Sequence, residues 1–378
     1  MWLNESIRDK HHKEITRRPL MQKDMFPVSI SFRKYLENYG REVKLPVLYS
    51  DLTNYSHANS LKDKKGKWTH WENAVYEPHQ LKELKEGLVA TYFLLKKQAK
   101  QTARQYDIES VDFCDYGNSV PFRIKIADRN NGRRDFFYIK KSDASRVYGL
   151  ELEHLLTPNP INFLHYKDTL VEEHIEGIPG DVFLQQNPHL TAVEKAAVAS
   201  AFVQFNERCF ARLLGDMRSY NFVVNPFSTN SFIPAGEGKA HVSTLQYGIR
   251  AIDFDQQCYE GKKALYFPGY YKENTEYVDL VLQQLDPVQI EQKRQNEFDA
   301  MASRMITYRK QLIELINSIL HDDISENYKI QNLRNELNAH FNTTRFISCK
   351  TMGAIVKQQL KQVLQKHVRK IRSRETAR

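Results

Sequence analysis

Asp216 and Asn221 stand five positions apart, and an apolar run, Phe222-Val223-Val224, follows them. About thirty residues on, Ile252-Asp253-Phe254-Asp255 supplies a second acidic site. A carboxylate, a side-chain amide and a further carboxylate in this chain order suit phosphoryl transfer from a nucleotide. An acceptor hydroxyl is a poor nucleophile and must lose its proton during transfer. Asp216 is the candidate to accept or orient that proton, a role worth roughly 10²–10⁴ in rate. ATP carries Mg2+ on its phosphates, with Mn2+ as a substitute, and such hard ions want oxygen ligands. Asn221 offers an amide oxygen and Asp253 a carboxylate. Asp255, two residues later, is a candidate second ligand, with a strand-end capping or ion-pairing role as its alternative.

The elements needed to position these groups are legible around them. Thr191-Ala192-Val193-Glu194 has the capping-box spacing, and a long helix from there to about Leu213 delivers the chain into Asp216. Upstream, residues 108–115, 121–127 and 135–141 are short runs rich in β-branched and aromatic residues. Turn clusters separate them, including Asn131-Gly132, a strong hairpin signal. A helix over about 144–156 and strands over 163–166 and 169–175 complete a strand-strand-strand-helix-strand-strand series. Residues 226–246 read as an exposed excursion. Residues 276 to about 370 read as helical, with breaks near Asp322 and Asn342. Residues 1–107 read as a separate, mostly helical region, with helices over 33–40 and 77–105.

This order resembles the protein-kinase-like fold, and its spelling is closer to the aminoglycoside and choline phosphotransferase branch than to eukaryotic protein kinases. The residues that carry the resemblance are Phe137-Tyr138-Ile139-Lys140, Val171-Glu172-Glu173-His174-Ile175-Glu176-Gly177, Gly215-Asp216 before Asn221, and Ile252-Asp253-Phe254. It covers roughly residues 108–320. It implies that Lys140 holds the nucleotide phosphates, Lys141 being exchangeable with it by a one-residue register slip. A helix carboxylate should fix that lysine, Glu151 first and Glu153 second. The backbone of Glu173, His174 and Ile175 would meet adenine. Three features depart from the family pattern. No GxGxxG lies between the first two strands, where Gly117 is followed by Asn118 and Ser119 as the remaining phosphate-loop candidates. Leu214 replaces the usual histidine two before Asp216. No glycine follows Asp253-Phe254.

The whole chain of 378 residues carries a net charge of +9, unevenly spread. Residues 350–378 hold nine Lys or Arg and one acid, Glu375, so the body is near neutral. That balance argues against a dedicated nucleic-acid-binding domain. In the tail, Ile355, Leu360, Val363, Leu364, Val368 and Ile371 recur at helical spacing. The basic face beside them is either the solvated side of a packed helix or a site for an anionic activator or membrane. Cys114, Cys209, Cys258 and Cys349 are scattered and suit a reducing compartment. No run of about 18 apolar residues and no secretory leader is seen, so an intracellular protein is expected. His11-His12 reads as a solvated pair rather than a metal site. Trp68 and Trp71 read as loop anchors rather than stacking platforms.

The expectation is an α+β protein: a bilobal protein-kinase-like fold with an added helical N-terminal region (1–107). Its parts are a small antiparallel-sheet lobe (108–176), a helical lobe (177–349) and a basic C-terminal helix (350–378). The expected activity is ATP- and Mg2+-dependent transfer to a hydroxyl, with a protein Ser/Thr acceptor narrowly preferred to a small molecule. The alternative is a catalytically silent module that binds an anionic ligand or a partner.

Overall fold

Alternation of apolar and polar residues sets the sheet. In β4, Phe122–Asp128, every second side chain is buried, and Phe122, Ile124 and Ile126 face inward. The computed structural model of the chain describes residues 23–63, 65–98, 105–114, 118–235 and 238–375. His11, His12 and Gly117 lie outside them. The chain is α+β. Helix α1, Ile30–Asn38, opens the described part, capped by Ser29 Oγ. One short helical turn, α2, Tyr49–Leu52, precedes the strands β1, His57–Lys62, and β2, Trp68–Val75. Helix α3, Pro78–Lys96, takes Pro78 at its first turn. Then come β3, Tyr106–Cys114, β4, and β5, Arg134–Lys141. Helix α4, Ala144–Leu156, is followed by β6, Phe163–Tyr166, and β7, Thr169–Glu173.

These strands form one antiparallel sheet in the order β1-β2-β3-β4-β5-β7-β6. The region expected to be separate and mostly helical therefore contributes two strands to the same sheet. Its hairpin escaped the reading because β1 is polar and largely exposed and β2, WTHWENAV, is half-buried with no clean alternation. Helix α3 also ends earlier than its spacing suggested, at a left-handed Lys97.

A second, three-stranded sheet and a set of helices follow. They are β8, Ile178–Pro179, α5, Gly180–Gln186, α6, Ala192–Arg212, β9, Phe222–Ala235, and β10, Gly238–Ala251. Thr191 and Glu194 form the expected capping box on α6. The expected excursion over 226–246 is instead mostly ordered ribbon: β9 pairs with β10 in unbroken antiparallel register from Ala235↔Gly238 to Phe222↔Ala251. The helices α7, Thr275–Gln284, α8, Pro287–Thr307, α9, Arg309–Ile319, α10, Asn327–His340, and α11, Met352–Glu375, complete the chain. Helix α11 buries Ile355, Val356, Leu360 and Val363 and packs on α6, α8 and α9. The apolar stripe of the tail is thus core as far as Val363, with Leu364 and Val368 half-buried and Ile371 exposed, and Lys361, Lys366 and Arg369 are exposed. Among the described residues no helix is long and apolar enough to cross a membrane. All four cysteines are buried, and no disulfide joins them among the described residues.

Two buried apolar clusters result. One lies between α3 and the sheet, with Leu88, Phe93, Ile124, Phe137 and Val171. The other joins α1 and α4 to the helices around α6. Helix α4 is buried at nearly every position. Phe32 of α1 stacks on its Tyr148 at 3.7 Å and 4°. On another side, Gly149 allows close approach: a Cβ there would lie 2.9 Å from Phe254 Cβ. Helix α4 is therefore pressed against the turn that carries the acidic pair.

Candidate functional site

Helix α6 ends at Leu213, which is left-handed, and the chain turns through Leu214 and Gly215 into Asp216. Asp216 also has positive φ, +55°, a conformation that costs a non-glycine residue of order 1–3 kcal/mol. Its backbone is pinned by three bonds. Its N–H donates to Tyr271 Oη at 2.9 Å, and its carbonyl accepts from Arg218 N–H at 2.9 Å and from Asn221 Nδ2 at 2.7 Å. Because Nδ2 is spent on that carbonyl, the Asn221 amide has a fixed orientation, and Oδ1 is its remaining acceptor. The Asn221 carbonyl then accepts Ile252 N–H at 3.0 Å, which places Asp253 beside Asn221.

The Asp216 carboxylate is partly open, with 36% of its side chain exposed. Arg218 Nε donates to its Oδ1 at 2.7 Å, while Arg218 Nη1 donates to Glu273 at 2.8 Å. Burial raises the Asp216 pKa, nearby Asp253 and Glu273 add to the rise, and Arg218 opposes it. Arg218 was not singled out from the sequence; its position two residues after Asp216 was the available signal.

Asp253 and Asp255 do not lie on a strand face. β10 ends at Ala251, and the Asp255 N–H donates back to Asp253 Oδ1 at 3.1 Å, closing a turn. Arg146, from the first turn of α4, reaches both acids: Nη1 lies 2.7 Å from Asp253 Oδ1 and 2.8 Å from Asp255 Oδ1. The same guanidinium grips Glu172 of β7, with Nε on Oε1 and Nη2 2.9 Å from Oε2. Lys140 of β5 donates to that Glu172 Oε2 at 2.8 Å. Burial and Glu172, then Asp255, act oppositely on Arg146, and the carboxylates hold its pKa well above the ordinary value. Burial alone would raise the Glu172 pKa, but Arg146 and Lys140 bring it down to about 2. Burial, then the like charge of Arg146, lowers the Lys140 pKa despite the opposing Glu172. Burial and Asp255 raise that of Asp253.

Several sequence expectations are corrected by this geometry. Lys140 is paired with Glu172, not with Glu151. Glu151 is fully buried one layer away, where it accepts from Tyr35 Oη at 2.8 Å and Arg41 Nε at 3.1 Å. The second choice, Glu153, pairs with Arg212. Of the two lysines, Lys140 points into the cluster and Lys141 is exposed. The backbone amides expected to meet adenine are partly committed. Glu173 N–H donates to the Asn162 carbonyl and His174 N–H to that of Phe136, while Ile175 N–H makes no hydrogen bond with a described residue. Asn118 Oδ1 accepts Lys23 N–H at 3.3 Å, and the Ser119 carbonyl accepts from Lys141 N–H. Lys23 itself was not anticipated. Its ammonium is buried between Asp143, at 2.7 Å, and the Asp255 carbonyl, at 2.6 Å. Trp71 is not a simple loop anchor either: it lies under the Arg123 guanidinium at 4.3 Å, and Trp68 is exposed beneath Lys62.

The oxygen donors fit one hard cation better than two. Asn221 Oδ1 and Asp253 Oδ2 remain available, the latter making no hydrogen bond with a described residue. Asp255 does not fit as a second ligand, because its side chain is 8% exposed and committed to Arg146. Among the described residues no three His, Cys, Asp or Glu side chains converge as a metal cage. No protein-family model matches the chain, and no curated protein matches it.

Proposed function

We propose that the protein is an ATP-dependent phosphotransferase with a bilobal protein-kinase-like arrangement, the β1–β7 sheet forming the small lobe and the region from α5 onward the helical lobe. One observation carries this reading. A continuous run of bonds leads from Lys140 through Glu172 and Arg146 to Asp253, and from Ile252 through Asn221 to Asp216. The groups needed for phosphate binding, cation binding and proton transfer are thereby locked together across distant parts of the chain.

Asn221 Oδ1 and Asp253 Oδ2 would hold Mg2+, which when bound neutralises charge on the nucleotide phosphates. Lys140 supports the phosphates from the sheet side. Asp216 accepts the proton of the acceptor hydroxyl as its oxygen bonds to the γ-phosphorus. The bond between that phosphorus and the β–γ bridging oxygen breaks, and ADP leaves with the electron pair. The raised Asp216 pKa suits a base that must hold a proton transiently. Ile175 N–H is the hinge donor left for adenine.

The acceptor is read as a protein hydroxyl in narrow preference to a small molecule. The segment after Asp255 is ordered against the catalytic loop: Tyr271 Oη donates to the Leu265 carbonyl, and Asn274 Nδ2 donates to the Met217 carbonyl at 2.8 Å. Tyr270 and Tyr220 are exposed beside it. An ordered segment of this kind suits a peptide better than a closed small-molecule pocket. A catalytically silent nucleotide-binding module is the second reading, favoured by the arginines on Asp216 and Asp253.

Incubation of the full chain with γ-labelled ATP, Mg2+ and a panel of basic proteins and small hydroxyl compounds separates the two. Labelling that Asp216→Ala removes is the expected result. Thermal stabilisation by nucleotide with no transfer to any acceptor would leave only the silent module.

A further inference from the structure

Arg146 has no counterpart among the groups that the proposed reaction requires, yet it is the most enclosed cation of the site. Its side chain is 1% exposed. Three of its nitrogens are used. Nε and Nη2 bind Glu172, and Nη1 lies between Asp253 Oδ1 and Asp255 Oδ1. A divalent ion held by both of these carboxylates would have to take the place of Nη1. The guanidinium is fixed from behind by Glu172, and by the helix itself, which Asp143 caps and which Gly149 sets against Phe254. Nothing in the packing offers it an easy exit, because interiors this dense do not deform continuously.

The charge balance points the same way. Lys140 and Arg146 face Glu172, Asp253 and Asp255: two cations against three carboxylates. One net negative charge remains, and it sits on the open side, at Asp253, whose side chain is 35% exposed against 8% for Asp255. That is enough to attract one divalent ion. A second would sit beside an immobile guanidinium in a poorly screened interior, where like-charge repulsion is strong.

We propose that Arg146 is a built-in cation occupying the place of a second divalent ion, so that the site binds nucleotide with one metal ion only. Protein kinases hold two ions through the corresponding Asp and Asn; here the inner oxygen of Asp253 is committed to Arg146 and only the outer one serves a metal. The inference rests on the nucleotide-binding reading above and deepens it. Arg146 is a positioning residue: it acts on the reaction through Asp253.

Counting bound ions tests this without reference to turnover. Full-length protein is saturated with β,γ-imido-ATP and titrated with Mn2+, with free Mn2+ read by electron paramagnetic resonance. One protein-bound ion per chain is expected for the natural protein and for Arg146→Lys. Two are expected for Arg146→Gln. The paired change Arg146→Gln with Glu172→Gln keeps the net charge of the natural cluster but vacates the place of Nη1; with the bound triphosphate adding its own negative charge it carries the same expectation, should the single variant not fold. Two ions in the natural protein, or one ion in both glutamine variants with nucleotide bound, would overturn the inference while leaving the kinase reading intact. Nucleotide binding with no ion at all, or no nucleotide binding, would remove both.

Discussion

Two charged regions meet at Asp253, and they are built differently. Around Arg146, the partners Glu172 and Asp255 are almost wholly enclosed. Around Asp216, the partner Arg218 is as exposed as the aspartate, 36% each. In the first region Arg146, Glu172 and Asp255 are desolvated, so each depends on its neighbours: removing one partner of such a cluster typically costs about 3–5 kcal/mol. In the second, water screens the pair, and exposed pairs contribute between about 0 and 1 kcal/mol. The enclosed region can hold geometry but cannot rearrange quickly. In the proposed reaction the open one would exchange Arg218 for the acceptor at little cost, so that burial would separate scaffold from chemistry.

The largest effect expected from this contrast is on rate in the open region. If the proposed reaction holds, Asp216→Asn lowers phosphoryl transfer roughly 10²–10⁴-fold. The fold should barely notice, since Asn tolerates the positive φ of this position. A rate within about tenfold of the natural protein, below the low end of that range, would remove Asp216 from the role of base. Next comes the enclosed region. Arg146→Met should lower the unfolding free energy in urea by about 3–5 kcal/mol, by stranding Glu172 and Asp255.

A third test uses pH and another residue of α4. Burial, then the charges of Arg41, Arg304 and Lys97, lower the His154 pKa from 6.5 to about 4. The folded protein therefore resists a proton that the unfolded chain accepts. Stability should be full above pH 6.5 and fall as pH drops toward 4, by up to about 3 kcal/mol, with His154→Gln flattening that slope. Glu172 works at lower pH: its depressed pKa stabilises the fold above about 4.5, and this contribution fades as pH falls toward 2. A stability curve that is flat between pH 6.5 and 4 would contradict the burial assigned to α4. The smallest effect is predicted for Arg218→Met, a stability change under about 1 kcal/mol. If it matched Arg146→Met in urea, the contrast between the two regions would be broken.

What was legible in the sequence was local. The alternation of β3–β5, the helix that Asp143 caps, and the Thr191 capping box each depend on residues within a few positions. All appear where the spacing placed them, to within two residues. The spacing of Asp216 and Asn221 also encodes a real bond, Nδ2 to the Asp216 carbonyl. What was not legible is non-local. Glu172 meets Lys140 because β5 and β7 pair in one register, Lys140 opposite Leu170, which places Glu172 on the neighbouring diagonal. Glu151 lies on the expected helix, but Tyr35 and Arg41 claim it from a segment more than a hundred residues earlier. Arg146 offered no signal at all, since a first-turn arginine is ordinarily solvated. Strands β1 and β2 carried no clean period to read.

The ribbon of β9 and β10 has a consequence for how freely this molecule can vary. Asn221 and Asp253 stand at its two feet, and the Ile252 N–H to Asn221 carbonyl bond ties those feet together. Because side chains alternate with a period of two, removing residues two at a time from each arm leaves every remaining pair on its original face. The number of residues between Asn221 and Asp253 is therefore decoupled from the distance between them. The arm is a natural graft point, able to be trimmed, extended or fused to a reporter while its root stays the same.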